Sequence, residues 1–249
     1  MSDKESPLAP MLRKLEYYGE LSQSDRAALL SLPYTLKTIE AHGYIVREGD
    51  RPTHSCLLRT GFVHRQKIVG DGGRQICSIH MSGDMVDLQN SLLATADHDV
   101  QALTRAEVAF IPREAILELA FASPAVGMAM WYDTLVDGSI FREWIANVGR
   151  RDARTRIAHL LCEFSLRLEA AGLGQHMSYT LPMTQEQLGD CTGLTAIHVN
   201  RMLRGLQTDG IISRTSRSVT VDDWKKLANE GDFTSGYLHM RVDPLGLVQ

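Results

Sequence analysis

The sequence predicts an α+β protein with an antiparallel β-roll first, one long helix next and a helix-turn-helix with a β wing last. Three observations predict it. Short apolar or alternating runs crowd residues 44–111 and are punctuated by turn residues. Residues 125–149 carry a helical apolar pattern without a break. Thr184 to Leu206, T-Q-E-Q-L-G-D-C-T-G-L-T-A-I-H-V-N-R-M-L-R-G-L, reads as two short helices joined by a tight turn.

Taken in order, residues 11–32 are helical in pattern, with Ser22 or Ser24 as a cap for Asp25–Leu32. Strand character begins near Thr35. The runs are Tyr44–Val46, Cys56–Leu58, Phe62-Val63, Ile76–Met81, Val100–Leu103 and Val108–Ile111, separated by Gly43, Gly49-Asp50, Gly61, Gly70–Gly73 and Gly83-Asp84. Short strands at this spacing build a roll or sandwich. Pro112 ends it, and Arg113–Phe121 reads as a short helix stopped near Ser123-Pro124.

In the long helix Trp131, Leu135, Gly138, Phe141, Ile145 and Val148 advance by threes and fours, close to a coiled-coil seam. Ile140 and Trp144 form a second stripe. One stripe is expected to pack within the chain and the other against a second copy. Gly149-Arg150-Arg151 breaks the pattern. Asp152 caps a helix over Ala153–Ala171, which Gly172 and Gly174 end.

Thr184 and Gln187 fit a capping box for the first short helix. Gly193 supplies the bend, where a residue tolerating positive φ is favoured. Thr195 caps the second helix, on which Val199, Met202, Leu203 and Leu206 share one face. His198, Asn200, Arg201 and Arg204 are left outward, as in a helix that enters a DNA major groove. Two strands, Gly210–Arg214 and Ser218–Val221, form the wing. A short helix is expected over Asp222–Asn229, followed by a loosely ordered tail. The expected divisions are 1–123 for the roll, 124–151 for the dimerisation helix and hinge, 152–225 for the winged helix-turn-helix and 226–249 for the tail.

Composition narrows the function classes. Hydrophobic residues make up 44% of the chain, enough for real cores. No apolar run approaches the roughly 20 residues of a membrane span, and the polar, acidic start does not read as a secretory signal. Cys56, Cys77, Cys162 and Cys191 are scattered, which points to a reducing cytoplasm and away from a zinc or disulfide framework. The formal net charge is −4, but it is unevenly spread. Residues 1–149 hold 14 Lys/Arg against 19 Asp/Glu, whereas residues 150–221 hold 9 against 6. A basic end on an acidic body suits DNA binding by one domain and regulation by another.

These pieces together resemble the CRP/FNR superfamily of bacterial transcription regulators. The roll contributes G-Y-I-V-R-E-G-D at 43–50, L-L-R-T-G-F-V at 57–63, D-G-G-R-Q-I at 71–76, S-G-D-M-V-D-L at 82–88 and A-L-T-R-A-E-V-A-F-I at 102–111. The C-terminal part contributes T-R-I-A-H-L-L at 155–161 and the helix-turn-helix. The resemblance implies a cyclic-nucleotide-binding-like roll and a homodimer bound to a pseudopalindromic double-stranded operator. It also makes RNA polymerase a candidate partner. The dimer would form through Trp131, Leu135, Gly138, Phe141, Ile145 and Val148. Arg201 would read guanine, and Ile197 would meet a thymine methyl where many members carry a glutamate. Asn200 would read adenine or meet a phosphate, and His198 would reach a phosphate or a base edge. Thr184, Gln185 and Thr195 belong to the same surface, with Thr184 and Gln185 fixing register on the backbone, and Arg204, Arg214 and Arg217 are candidate phosphate contacts.

The family's nucleotide signature is broken. Its Gly-Glu pair falls at Asp87-Leu88, its Arg-Ser or Arg-Thr pair near Asp97-His98, and no arginine lies between Gly83 and Thr104. A cyclic phosphate needs charge-assisted donors, and carboxylates would repel it. Indifference to cAMP and cGMP is therefore expected. No N-terminal cysteine cluster exists for an iron–sulfur centre. His64, His80 and His98 are nominal haem ligands, and Cys191 is a nominal redox switch or a small buried hydrophobe. An enzyme on a metal-binding roll would need a close His-x-His pair, which His54, His64 and His80 do not make. No catalytic site, metal or cofactor is expected. The alternative to a plain regulator is one whose DNA binding an unidentified small-molecule, redox or haem effector switches.

Overall fold

The computed structural model describes residues 6–174, 177–215 and 217–240. The chain divides into two compact units, one of residues 1–67 and 78–138, the other of residues 68–77 and 139–249.

The first unit opens with helices α1 (Ala9–Tyr18) and α2 (Gln23–Leu30). Ser22 caps α2 through a reciprocal bond with Asp25. Seven strands follow along the chain, with residues 68–77 counted in the second unit: β1 (Thr35–Ile39), β2 (Tyr44–Val46), β3 (His54–Thr60), β4 (Val63–Ile68), β5 (Arg74–His80), β6 (Asp99–Ala102) and β7 (Ala106–Pro112). They form two antiparallel sheets, ordered β1-β7-β3 and β2-β6-β4-β5. The period of two explains why β3 reads as an unbroken apolar run. Cys56 and Leu58 point into the roll with Val63, Val100 and Val108. Leu57 points the other way, into a second core with Leu8, Leu12, Ala109 and Ile111. Both faces of the sheet are buried, so alternation is hidden. Each such leucine contributes roughly 1.5–3 kcal/mol by leaving water. Gly61, at φ +85°, turns between β3 and β4, where a Cβ would lie 2.5 Å from the Arg105 carbonyl.

Helix α3 (Arg113–Ala122) leads to α4 (Pro124–Arg150), 27 residues long. Its two stripes separate cleanly. Val126, Ala129, Met130, Val136, Ile140 and Trp144 are buried within the chain, while Trp131, Leu135 and Ile145 are 60%, 55% and 73% exposed.

The second unit centres on α5 (Ala153–Ala170), capped by Asp152. Around it lie β8 (Ser178–Thr180), α6 (Gln185–Thr192), α7 (Ala196–Thr208), β9 (Ile212–Thr215), β10 (Ser218–Val221) and α8 (Trp224–Glu230). The wing has three strands, β8-β10-β9. Strand β8 carries no sequence signal because Ser-Tyr-Thr is too short to show alternation.

The segment after α8 corrects the expectation of a loose tail. Gly231 fits against the α5 backbone, where a Cβ would lie 2.8 Å from His159 N. Phe233 stacks edge-on against His159, Trp224 and Tyr237. The Tyr237 hydroxyl and the Trp144 indole each donate to Glu163, both at 2.9 Å. Arg151 pairs with Glu143 and Asp232. Residues 231–239 thus strap α5 to the last turns of α4. Residues 241–249 lie outside the described residues.

Candidate nucleic-acid interface

The turn between α6 and α7 is built from local rules. Thr184 accepts from Gln187 N while Gln187 Oε1 accepts from Thr184 N, completing the capping box. Gly193 closes α6 in the left-handed region at φ 67°, ψ 35°. Thr195 accepts from His198 N and starts α7. Gly189 was not singled out from sequence. A Cβ there would meet Leu194 O at 2.3 Å, so only glycine lets the turn fold this close to α6. Its one visible signal is a glycine inside a short helix, where helix propensity disfavours it.

Val199, Leu203 and Leu206 are fully buried, which fixes the rotation of α7. Ile197, His198, Arg201 and Arg204 are consequently exposed, Ile197 at 80%. An isoleucine so exposed at a helix N-terminus contributes nothing to the core. Among the described residues no ion pair engages Arg201 or Arg204, so both guanidinium groups face solvent uncommitted. Thr184 and Thr195 are also exposed, with their hydroxyls already accepting cap hydrogen bonds. Asn200 and Gln185 are half-buried and joined: Asn200 Nδ2 donates to Gln185 Oε1 at 3.1 Å. Arg217 is exposed on the wing. Arg214 on β9 is half-buried, its Nε has no partner among the described residues, and burial lowers its pKa. It is therefore less freely placed than a surface arginine. At the other end of α6, Arg74 pairs with Asp190 at 2.6 Å and Gln75 donates to the Asp190 carbonyl.

The seam residues of α4 divide. Trp131, Leu135 and Ile145 project outward, and Gly138 and Phe141 are half-exposed. Val148 is half-buried, with its Cγ1 near Gly193.

In the roll, the residues that replace the nucleotide signature are engaged in structure. Asp87 is fully buried and accepts from Cys56 N at 2.6 Å and Ser55 Oγ at 3.0 Å. Burial raises its pKa against those hydrogen bonds. Asp97 is held below the usual carboxylate range by the His98 ring, 2.6 Å away. Asp99 accepts from Glu48 N and Gln66 Nε2. Arg65 is buried, paired with Asp137 and bonded to the Val86 carbonyl. Lys14 bridges Asp84 and Asp133, at 2.8 Å each. His64 contacts Gln66, and His80 contacts Ser78 and Asp84. Each of the nominal haem ligands thus has a polar neighbour in its own strand or loop. Cys191 is buried, and its thiol pKa is raised well above the ordinary value, first by burial and then by Asp190.

Comparison with known proteins agrees with this geometry. The model of the cyclic nucleotide-binding domain matches residues 36–123, and that of the Crp-like helix-turn-helix domain matches residues 155–230. The transcriptional activator protein FnrL of Cereibacter sphaeroides is 30% identical over 220 residues, covering 86% of this chain and 88% of that protein. A probable transcriptional activator of Rhizobium leguminosarum is 24% identical, covering 84% of each. The structure of FixK2 from Bradyrhizobium japonicum superposes with a TM-score of 0.75 at 25% identity, covering 82% of this chain and all of that one.

Proposed function

The chain belongs to the CRP/FNR superfamily of transcription regulators, and from that premise we propose that it acts as a homodimer on a pseudopalindromic operator. In this reading residues 1–123 are the sensor roll, 124–151 the dimerisation helix and hinge, and 152–225 the reading domain. The observation that carries it is the outward face of α7. Ile197, His198, Arg201 and Arg204 stand in solvent on a helix whose opposite face is locked into the core. Such a face suits a major groove, with the N-terminus of α6 against the phosphates. Arg201 reads guanine, Ile197 contacts a thymine methyl, and Arg204 and Arg217 hold phosphates. The exposed stripe of Trp131, Leu135 and Ile145 supplies the dimer contact. RNA polymerase is a partner in this reading, since two of the sequence relatives are named as activators. The place of action is the cytoplasm, and no catalytic role is assigned. No single helix among the described residues is long and apolar enough to cross a membrane.

Mutation of Arg201 tests the reading. A bidentate arginine–guanine contact gives about 1–3 kcal/mol of discrimination, so Arg201→Ala in both subunits lowers operator affinity by about 2–6 kcal/mol. Non-specific binding stays nearly unchanged. Equal loss on operator and random DNA would reduce Arg201 to a backbone contact.

A second reading has one observation in its favour. Asp87 Oδ2, Asn90 Nδ2 and Ser91 Oγ are buried without partners among the described residues, in one short stretch of the roll. A small polar effector would satisfy them and switch DNA binding.

A further inference from the structure

Asn200 and Gln185 sit on different helices of the reading domain, 15 residues apart, and share one hydrogen bond. We propose that they form a single reading unit in which Gln185 is a positioning residue that sets the amide orientation of Asn200, so that Asn200 selects adenine over guanine. The inference rests on the proposed insertion of α7 into the major groove.

A primary amide presents an oxygen and an NH₂ group of nearly the same shape. Turned one way, Asn200 offers Oδ1 to the N6 amino group of adenine and an Nδ2 proton to N7. Swung so that Nδ2 alone faces the base, it can instead give both of its protons to the acceptors O6 and N7 of guanine. An unrestrained asparagine at this position would therefore discriminate poorly between the purines. The bond to Gln185 removes the ambiguity. Asn200 gives one Nδ2 proton to Gln185 Oε1 and keeps Oδ1 and its other proton.

Gln185 in turn is oriented by its place in the fold. It is the first residue of α6, next to the cap Thr184, at a helix N-terminus of the kind that receives a phosphate. A phosphate accepts only, so it draws the Gln185 Nε2 group and leaves Oε1 facing Asn200. Polarity then runs in one direction, from phosphate to Gln185 to Asn200 to base, each hydrogen bond fixing the next. The half-burial of both side chains restricts other rotamers. The consequence is a base contact whose identity depends on a residue that touches no base.

The test is selection of bound duplexes from a random library by the full chain, followed by affinities for the selected half-site with adenine or guanine at each position. The wild type, Gln185→Ala, Gln185→Glu, Asn200→Ala and the double alanine variant are compared. The wild type is expected to favour adenine at one position per half-site by about 5- to 100-fold. Gln185→Ala and Asn200→Ala should each reduce that preference to less than about threefold at the same position, leave the other positions intact, and combine with no further loss of preference. Gln185→Glu keeps an acceptor for Asn200 but no donor for the phosphate. It should retain the adenine preference while weakening every sequence together. If Gln185→Ala keeps the wild-type preference and only lowers affinity uniformly, Gln185 is a phosphate contact alone and the proposal fails. It fails equally if Asn200→Ala changes no position. A wild type that selects no sequence would overturn the DNA-reading function itself, a different failure from these two.

Discussion

His80 shows what a single buried residue does to the pH response of the roll. It lies beside Ser78, Asp84 and the charge of Arg65, and burial, reinforced by Arg65, lowers its pKa from 6.5 to about 4. The folded state therefore holds the neutral ring. An unfolded chain takes up the proton near pH 6.5, so stability is complete above that pH and falls as pH drops toward 4. The loss reaches about 3 kcal/mol. His80→Gln removes this ionisation, and its urea midpoint should fall less than the wild type's between pH 6.5 and 4; equal slopes would show that His80 is not buried neutral. None of this was legible in the sequence, where His80 was one of several scattered histidines. Burial is a property of the fold and carries no local signal. Gly193 is the opposite case. A left-handed helix cap has a short-range cause, and the residue alone announced it. The exposure of Ile197 was half legible: its place on the reading surface followed from the family resemblance, its 80% exposure only from the packed structure.

Helix α4 carries the clearest element-scale expectation. Trp131, Leu135 and Ile145 form an exposed apolar stripe along one helix, while the stripe containing Val136, Ile140 and Trp144 is buried. Exposed apolar rows of this kind mark association sites. Leu135→Glu combined with Ile145→Glu places unpaired charge at a subunit contact, which costs several kcal/mol. The variant should sediment as a monomer at micromolar concentration, where the wild type sediments as a dimer. A wild-type monomer at that concentration would rule the seam out as a dimer contact. The two stripes were readable because helix periodicity is local. The strap of residues 231–239 was not. Its anchors are Gly231, Tyr237 and Asp232, which meet His159, Glu163 and Arg151 some 70 to 80 positions away, and no local pattern encodes such partners. Strand β8 was missed for a related reason, since its pairing with β10 supplies the order that three residues cannot supply alone.

For the molecule as a whole, the sequence conveyed the order of parts because each part has its own period: two in the strands, near three and a half in the long helix, and a capped turn in the reading domain. It could not convey how the roll's interior is used. Asp87, Arg65, Lys14, Asp133 and Asp137 are taken up in internal hydrogen bonds and ion pairs. Titration calorimetry with cAMP or cGMP should accordingly give no saturable heat, and micromolar binding that tightens DNA association would contradict that use of the roll. The central claim is that two copies of α7 read one operator together. The most direct measurement is binding of the purified chain to duplexes that carry the selected half-site either once or twice, inverted and spaced by one helical turn of roughly 34 Å. Two chains per duplex, with much tighter binding to the paired site and a steep loss when half a turn is inserted, is the expected result. One chain per duplex, with equal affinity for single and paired half-sites, would contradict it.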